Sequence, residues 1–151
     1  SGGSGPDGRA KEVLVHVLTG LRYLHGQRVV HRDVKSGNVL LTAPLDQGGV
    51  AKLSDFGTSK QLSKVELTAR DTTVMAKTMT GSVAWMAPEV VRGVGHSFPA
   101  DIWACGCLCI EMATGRNPWG DQAANQFALL FRIGQGECPR VPKAGVPLET
   151  Q

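Results

Sequence analysis

Nothing in the 151 residues approaches the ~18–20 consecutive apolar side chains that a membrane-crossing helix requires, so no helical span is expected. No signal-peptide pattern follows Ser1, which stands where an initiator methionine would, and the chain reads as an excised piece. Blocks of lysine and arginine are missing too. Sixteen basic and 13 acidic side chains leave a net charge of +3 with no basic cluster, which argues against a nucleic-acid partner. The four cysteines (Cys105, Cys107, Cys109 and Cys138) contain no C-x-x-C pair and lack the spread of a disulfide framework, which points to a reducing compartment. No histidine lies within the 105–109 run to complete a usual zinc set. Those thiols read as small core side chains of an apolar helix.

What is present suits one domain: 42% of residues are hydrophobic, and the length is too short for two ordinary units. Nineteen glycines and eight prolines predict many loops. Residues 1–9 are Gly/Ser-rich and read as a flexible linker. From Ala10 to His25, Leu14, Val17, Leu18, Leu21 and Leu24 recur at helical spacing, and Gly26 supplies a stop. After the short apolar run Val29-Val30, the segments Val39–Thr42 and Val50–Leu53 flank a turn-rich stretch and predict a β-hairpin. Residues 55–89 show no period, hold nine Ser/Thr residues and read as a long loop, a feature that in a compact domain points to function. Ser97 and Pro99 predict a helix start and Gly115 a stop, for a helix over about 98–113. Being apolar on nearly every side, that helix should be central. A further helix is expected from Ala123 to Ile133, with Phe127, Leu130 and Phe131 as its buried face. The fold class is mainly α, a helical lobe with one small β-hairpin.

Four clusters carry the chemistry, and their order matters more than any one of them. They are His31-Arg32-Asp33-Val34-Lys35-Ser36-Gly37-Asn38, between a helix and a strand; Asp55-Phe56-Gly57, just after the second strand; Ala87-Pro88-Glu89, closing the long loop; and Asp101, in the first turn of the apolar helix. With these motifs in this order the chain resembles the eukaryotic protein kinases, whose signature set is H-R-D-x-x-x-x-N, D-F-G and A-P-E. The resemblance implies a truncated kinase C-lobe over residues 10–151, with a catalytic loop at 31–38 and an activation segment at 55–89. It implies ATP and Mg²⁺ as well. Asp33 would accept or orient the substrate hydroxyl proton, and Lys35 would bring positive charge to the transferred phosphoryl group. A lysine at that position marks the Ser/Thr-specific branch. Asn38 and Asp55 would offer oxygens to Mg²⁺, which prefers such hard ligands. Leu40 would floor the adenine ring, while His31 would be structural, packing on Phe56 of the triplet completed by Gly57. Taken singly, Asp33 and Asn38 are ordinary turn residues. Asp101 alone could be a helix N-terminal carboxylate worth ~0.3–1 kcal/mol against the helix dipole; the resemblance instead makes it the anchor of the backbone at His31 and Arg32.

An arginine beside the catalytic aspartate suggests switching by phosphorylation, because a guanidinium grips phosphate bidentately. Arg32, with Lys60, would hold a phosphate on Thr78 or Thr80, added by an upstream kinase or by autophosphorylation. Ser82 matches a hydroxyl that touches the catalytic loop near the substrate. The stretches 81–90, 100–119 and 128–134 are similar to MAP kinase kinase kinases, which implies a MAP kinase kinase as protein substrate and a cytoplasmic setting. Ser82 and Val83-Ala84 depart from that pattern, and Gly81-Ser82 with Trp85-Met86 also resembles Raf-like kinases. No glycine-rich loop, V-A-I-K-type lysine or partner glutamate precedes the first helix. The N-lobe is therefore expected to be absent, the fragment alone to turn over little ATP, and Glu89 to lack its usual arginine. A pseudokinase or scaffold is the alternative that the unseen lobe would decide.

Overall fold

A computed structural model of the chain describes residues 6–61 and 82–142. Helix α1 (Pro6–Gly26) begins four residues before the expected Ala10, so residues 6–9, read above as linker, are helical. Proline at a first helical position loses no hydrogen bond. Val17 and Leu21, one turn apart, are fully buried, whereas Leu18 leaves the stripe and is exposed.

Strands β1 (Val29–Val30), β2 (Val39–Leu41), β3 (Ala51–Leu53) and β4 (Lys60–Gln61) form two antiparallel pairs. The expected hairpin is β2 with β3, Val39 opposite Leu53 and Leu41 opposite Ala51. Its connection turns tightly against itself. A Cβ on Gly49 would lie 1.8 Å from the Ala43 carbonyl oxygen, so only glycine fits there. The second pair, Val29 opposite Gln61 and Val30 opposite Lys60, ties the chain before the catalytic loop to the chain after Asp55-Phe56-Gly57. It was not visible in the sequence, since two-residue strands carry no period.

Helices α2 (Pro88–Val91), α3 (Phe98–Thr114) and α4 (Gln126–Gly134) complete the described fold. Helix α3 ends at Gly115, whose left-handed backbone (φ 63°) lets its N–H reach the Glu111 carbonyl at 2.8 Å. Its start lacks the expected cap bond: Ser97 has the extended backbone of an N-cap, but its side chain makes no capping hydrogen bond. The helix is central on one arc only. Ala104, Cys105 and Leu108 pack with Val17, Leu21 and Val34 into the main core cluster, while Ile102 on the opposite arc is exposed.

Helix α4 corrects the predicted face in part: Leu130 packs against the core as expected, but Phe127 and Phe131 do not. Leu129 and Ile133 are buried against Val83, Ala84 and Trp119, while Phe127 and Phe131 are 76% and 69% exposed. Both pairs have the i, i+4 spacing of a helix face. The turn at Ser82–Trp85 and Trp119, whose indole N–H donates to the Ala84 carbonyl at 3.0 Å, decide between them. The helix also starts later than expected. A 3₁₀ segment occupies Gly120–Ala124, and Asn125 caps α4 by accepting from the Ala128 N–H at 3.1 Å.

Burial pushes the thiols of Cys105 and Cys107 up from the ordinary value of 9.0 to about 12, through desolvation first and neighbouring Cys109 second. An acid whose pKa rises on folding contributes stability that is complete below its unfolded value and is lost as pH climbs toward the folded one. Each thiol should therefore erode stability between about pH 9 and 12. At pH 8, iodoacetamide should label exposed Cys138 well before Cys105 or Cys107, which should react only after denaturation. Peptide mapping checks this, and early labelling of Cys105 or Cys107 would contradict their burial.

Candidate active site

The catalytic-loop segment alternates between core and cleft. His31, Val34 and Asn38 point inward and are buried, and the side chains between them stay partly or fully accessible. Asp101, buried at the first turn of α3, holds the start of this loop. Its Oδ2 accepts from the His31 N–H at 2.9 Å and its Oδ1 from the Arg32 N–H at 2.8 Å. A third donor had no signal in the sequence: His25 Nε2, at the end of α1, lies 2.8 Å from Asp101 Oδ2, and its ring packs 4.7 Å from that of Phe98, tilted by 38°. These bonds hold Arg32 in a left-handed backbone conformation (φ 73°) that a non-glycine residue adopts at a cost of ~1–3 kcal/mol.

His31 acts as a spacer. Its Nε2 lies 3.1 Å from the Ser54 carbonyl, which can only accept, so Nε2 carries the proton, and Nδ1 accepts from the Asp33 N–H at 3.4 Å. The imidazole packs edge-on against Phe56 at 5.2 Å. Asn38 is tied to the other strand of the hairpin, its carbonyl accepting from the Ser54 N–H at 2.9 Å and from the Ser54 hydroxyl at 3.1 Å. Because Val39 pairs with Leu53, Asn38 and Asp55 emerge at the same end of the hairpin. Asp55 is exposed and left-handed (φ 60°), and its carboxylate accepts from the Gly57 N–H at 3.3 Å. Leu40 and Phe56 are exposed apolar side chains.

At the centre stands Asp33. Its Oδ2 lies 2.9 Å from Lys35 Nζ and accepts from Asn38 Nδ2 at 2.8 Å. Asn38 Nδ2 also donates to the Asp33 carbonyl at 2.7 Å. Both Asn38 bonds use the amide nitrogen, which turns the amide oxygen away from Asp33. Lys35 Nζ in addition donates to Ser82 Oγ at 2.8 Å, so one ammonium bridges the catalytic loop and the turn at 82–85. Arg32, Asp33, Ser82 and Asp101 share the wall of a cavity of about 10 Å³ with His96, room for a single water.

Not every expected residue falls within view. Thr78 and Thr80 lie outside the described residues, as does the side chain of Lys60, of which only the β4 backbone is described. Among the described residues Glu89 makes no ion pair. His25, Ser36, Trp85 and Glu111 join the site without a sequence signal that marks them for it. Glu111 accepts from Ser36 and from the Trp85 indole, a meeting of three distant positions that no spacing rule reveals.

Comparison with known proteins agrees with this geometry. The family model described as protein kinase domain matches residues 2–143. Mitogen-activated protein kinase kinase kinase 3 of Arabidopsis thaliana is 47% identical over 128 residues, 84% of this chain and 18% of the relative. Mitogen-activated protein kinase kinase kinase 2 of the same plant is 43% identical over 132 residues, covering 87% of this chain and 19% of the relative. Mitogen-activated protein kinase kinase kinase 1b of Physcomitrium patens is 42% identical over 127 residues, 83% of this chain and 15% of the relative. The chain thus spans less than a fifth of the length of these relatives. With the motif order, the helical lobe and the match over nearly its whole length in agreement, the chain belongs to the protein kinase domain family, in the form of a C-lobe similar to those of MAP kinase kinase kinases.

Proposed function

We propose that this chain is the substrate-holding lobe of a Ser/Thr protein kinase of the MAP kinase kinase kinase type, one that moves the γ-phosphate of ATP to a Ser/Thr hydroxyl of a MAP kinase kinase. The observation that carries the reading is the convergence on Asp33 Oδ2 of the Lys35 ammonium and the Asn38 amide, with Asp55 at the same hairpin end. Asp33 receives or orients the hydroxyl proton. Lys35, already bridging Asp33 and Ser82, supplies positive charge where the phosphoryl group crosses and ties the loop that faces the substrate to the loop that does the chemistry. Such positioning and charge neutralisation provide most of the rate in phosphoryl transfer.

The donor set suits Mg²⁺. Asn38 presents an amide oxygen because its nitrogen is committed to Asp33, and Asp55 presents an exposed carboxylate. Two hard oxygens from separate turns are enough for an ion that keeps several waters. When bound with ATP, that ion neutralises phosphate charge. Leu40, exposed beside Asn38, offers the apolar floor for the adenine. Arg32 and Lys60 receive the phosphate of an activating modification on Thr78 or Thr80, placed there by an upstream kinase or by the enzyme itself. No described helix is long and apolar enough to cross a membrane; a cytoplasmic setting is part of the proposal.

The test is transfer of labelled γ-phosphate by the full-length protein to a MAP kinase kinase whose own activity has been abolished. Label is expected on serine and threonine, phosphate on Thr78 or Thr80 of the active enzyme, and little turnover by the 151 residues alone. Incorporation no greater than a blank without enzyme would sink the reading and favour a partner-binding role.

A further inference from the structure

Helix α3 mounts the catalytic loop at two points, and only the first of them, Asp101, follows from the motif. The second is Glu111. Its Oε1 accepts from the Ser36 hydroxyl at 2.5 Å, and its Oε2 lies 3.3 Å from the Ser36 N–H and 3.1 Å from the Trp85 indole nitrogen. Ten residues at 1.5 Å each separate the two carboxylates by ~15 Å along the helix. The loop from His31 to Ser36 is therefore laid along α3 and pinned at both ends.

The far pin bears directly on the chemistry. Ser36 follows Lys35 and opens the 3₁₀ turn that ends at Asn38, and those two residues are the ones whose nitrogens meet at Asp33 Oδ2. A shift of Ser36 moves both. The third bond to Glu111 comes from Trp85, in the same short turn as Ser82, to which Lys35 donates. Two bridges thus join the catalytic loop to the 82–85 turn: Lys35 to Ser82, and Ser36 to Trp85 through one carboxylate. Hydrogen bonds to an ionised acceptor are the stronger kind, and two donors on one residue fix its orientation as well as its position.

We propose that Ser36 is a positioning residue for phosphoryl transfer: through Glu111 its hydroxyl sets the register of Lys35 and Asn38 on Asp33 and couples that register to the turn at 82–85. The proposal rests on the phosphotransfer reading for its kinetic consequence but not for the tether itself, and two readouts on the full-length protein separate them. The first is steady-state kinetics of Ser36→Ala and Ser36→Thr. Loss of one charged hydrogen bond should lower kcat by ~10-fold in Ser36→Ala with the KM for ATP little changed, the pattern of a lost transition-state alignment. Ser36→Thr, which keeps the hydroxyl, should restore most of the rate. The second is amide hydrogen exchange, where Ser36→Ala should speed exchange ~10-fold in peptides covering 33–38 and 82–86 and leave α1 as it was.

Should the parent protein transfer no phosphate at all, the phosphotransfer reading falls by itself, and the exchange measurement alone decides the tether. A Ser36→Ala enzyme within twofold of the parent in kcat, or with unaltered exchange at 33–38, overturns the proposal. So does a Ser36→Thr enzyme as slow as the alanine variant.

Discussion

Asp33→Asn in the full-length protein is expected to lower kcat by ~10²–10⁴-fold, the usual effect of removing a general base. The replacement keeps shape and volume, so the difference lies in charge and in the ability to take a proton. Asp33 Oδ2 now accepts from both Lys35 Nζ and Asn38 Nδ2. An amide oxygen, with two lone pairs, could still accept both bonds, but it would neither neutralise the ammonium nor take up the proton leaving a hydroxyl. The loss should therefore appear in kcat, with the KM for ATP within about threefold of the parent, because the groups proposed to hold the nucleotide remain. The stability loss should be smaller than for Asp101→Ala, because the isosteric amide keeps an acceptor for Lys35 and Asn38 at a side chain that is 11% exposed. Phosphorylation of a MAP kinase kinase at an unchanged rate would remove Asp33 from the mechanism and return it to the rank of an ordinary turn aspartate.

The largest effect on stability should come from Asp101→Ala, at ~3–5 kcal/mol, the cost of stripping one partner from a buried, charge-assisted network. Asp101 is 1% exposed and accepts from His25 Nε2, the His31 N–H and the Arg32 N–H. Its removal leaves two main-chain donors without their acceptor in the interior and frees the left-handed backbone at Arg32 to relax. His25→Ala removes one of the three bonds and should cost a smaller share, about 1–2 kcal/mol. Urea unfolding of the two variants beside the parent measures both. A loss below ~1 kcal/mol for Asp101→Ala would reduce the residue to a favourable charge at a helix start. If Asp101→Ala does not accumulate as folded protein, Asp101→Asn, which keeps one acceptor oxygen but turns an amide NH2 toward the remaining N–H donors, should lose more than His25→Ala and less than ~5 kcal/mol.

The two residues held at positive φ on the catalytic side, Arg32 and Asp55, flank the chemistry and differ in what holds them. Arg32 is over-determined by a buried carboxylate, whereas among the described residues Asp55 has only the local bond from Gly57 and is exposed. That contrast fits one rigid arm and one adjustable arm on the same site. His31 links them, since its ring touches Phe56 while its Nε2 donates to the Ser54 carbonyl.

Local order along the chain was enough to place the hairpin, the stop at Gly26 and the central helix over about 98–113, and the kinase-like motif singled out the residues that meet at Asp33. Each of these depends on neighbours within a few positions or on a motif whose members are near in sequence: turn chemistry, a left-handed glycine, a five-residue gap between Asp33 and Asn38. Where two patterns in the chain were balanced, tertiary packing made the choice. Helix α4 offers two rival apolar pairs, and Trp119 with the 82–85 turn chose Leu129 and Ile133 over Phe127 and Phe131. Strands of two residues, Val29–Val30 and Lys60–Gln61, have no period to read and exist only because they pair. The mount at Glu111 was hidden for a plainer reason. A glutamate near the end of an apolar helix, a serine in a loop and a tryptophan in a turn are unremarkable apart, and only folding brings one carboxylate within reach of both donors.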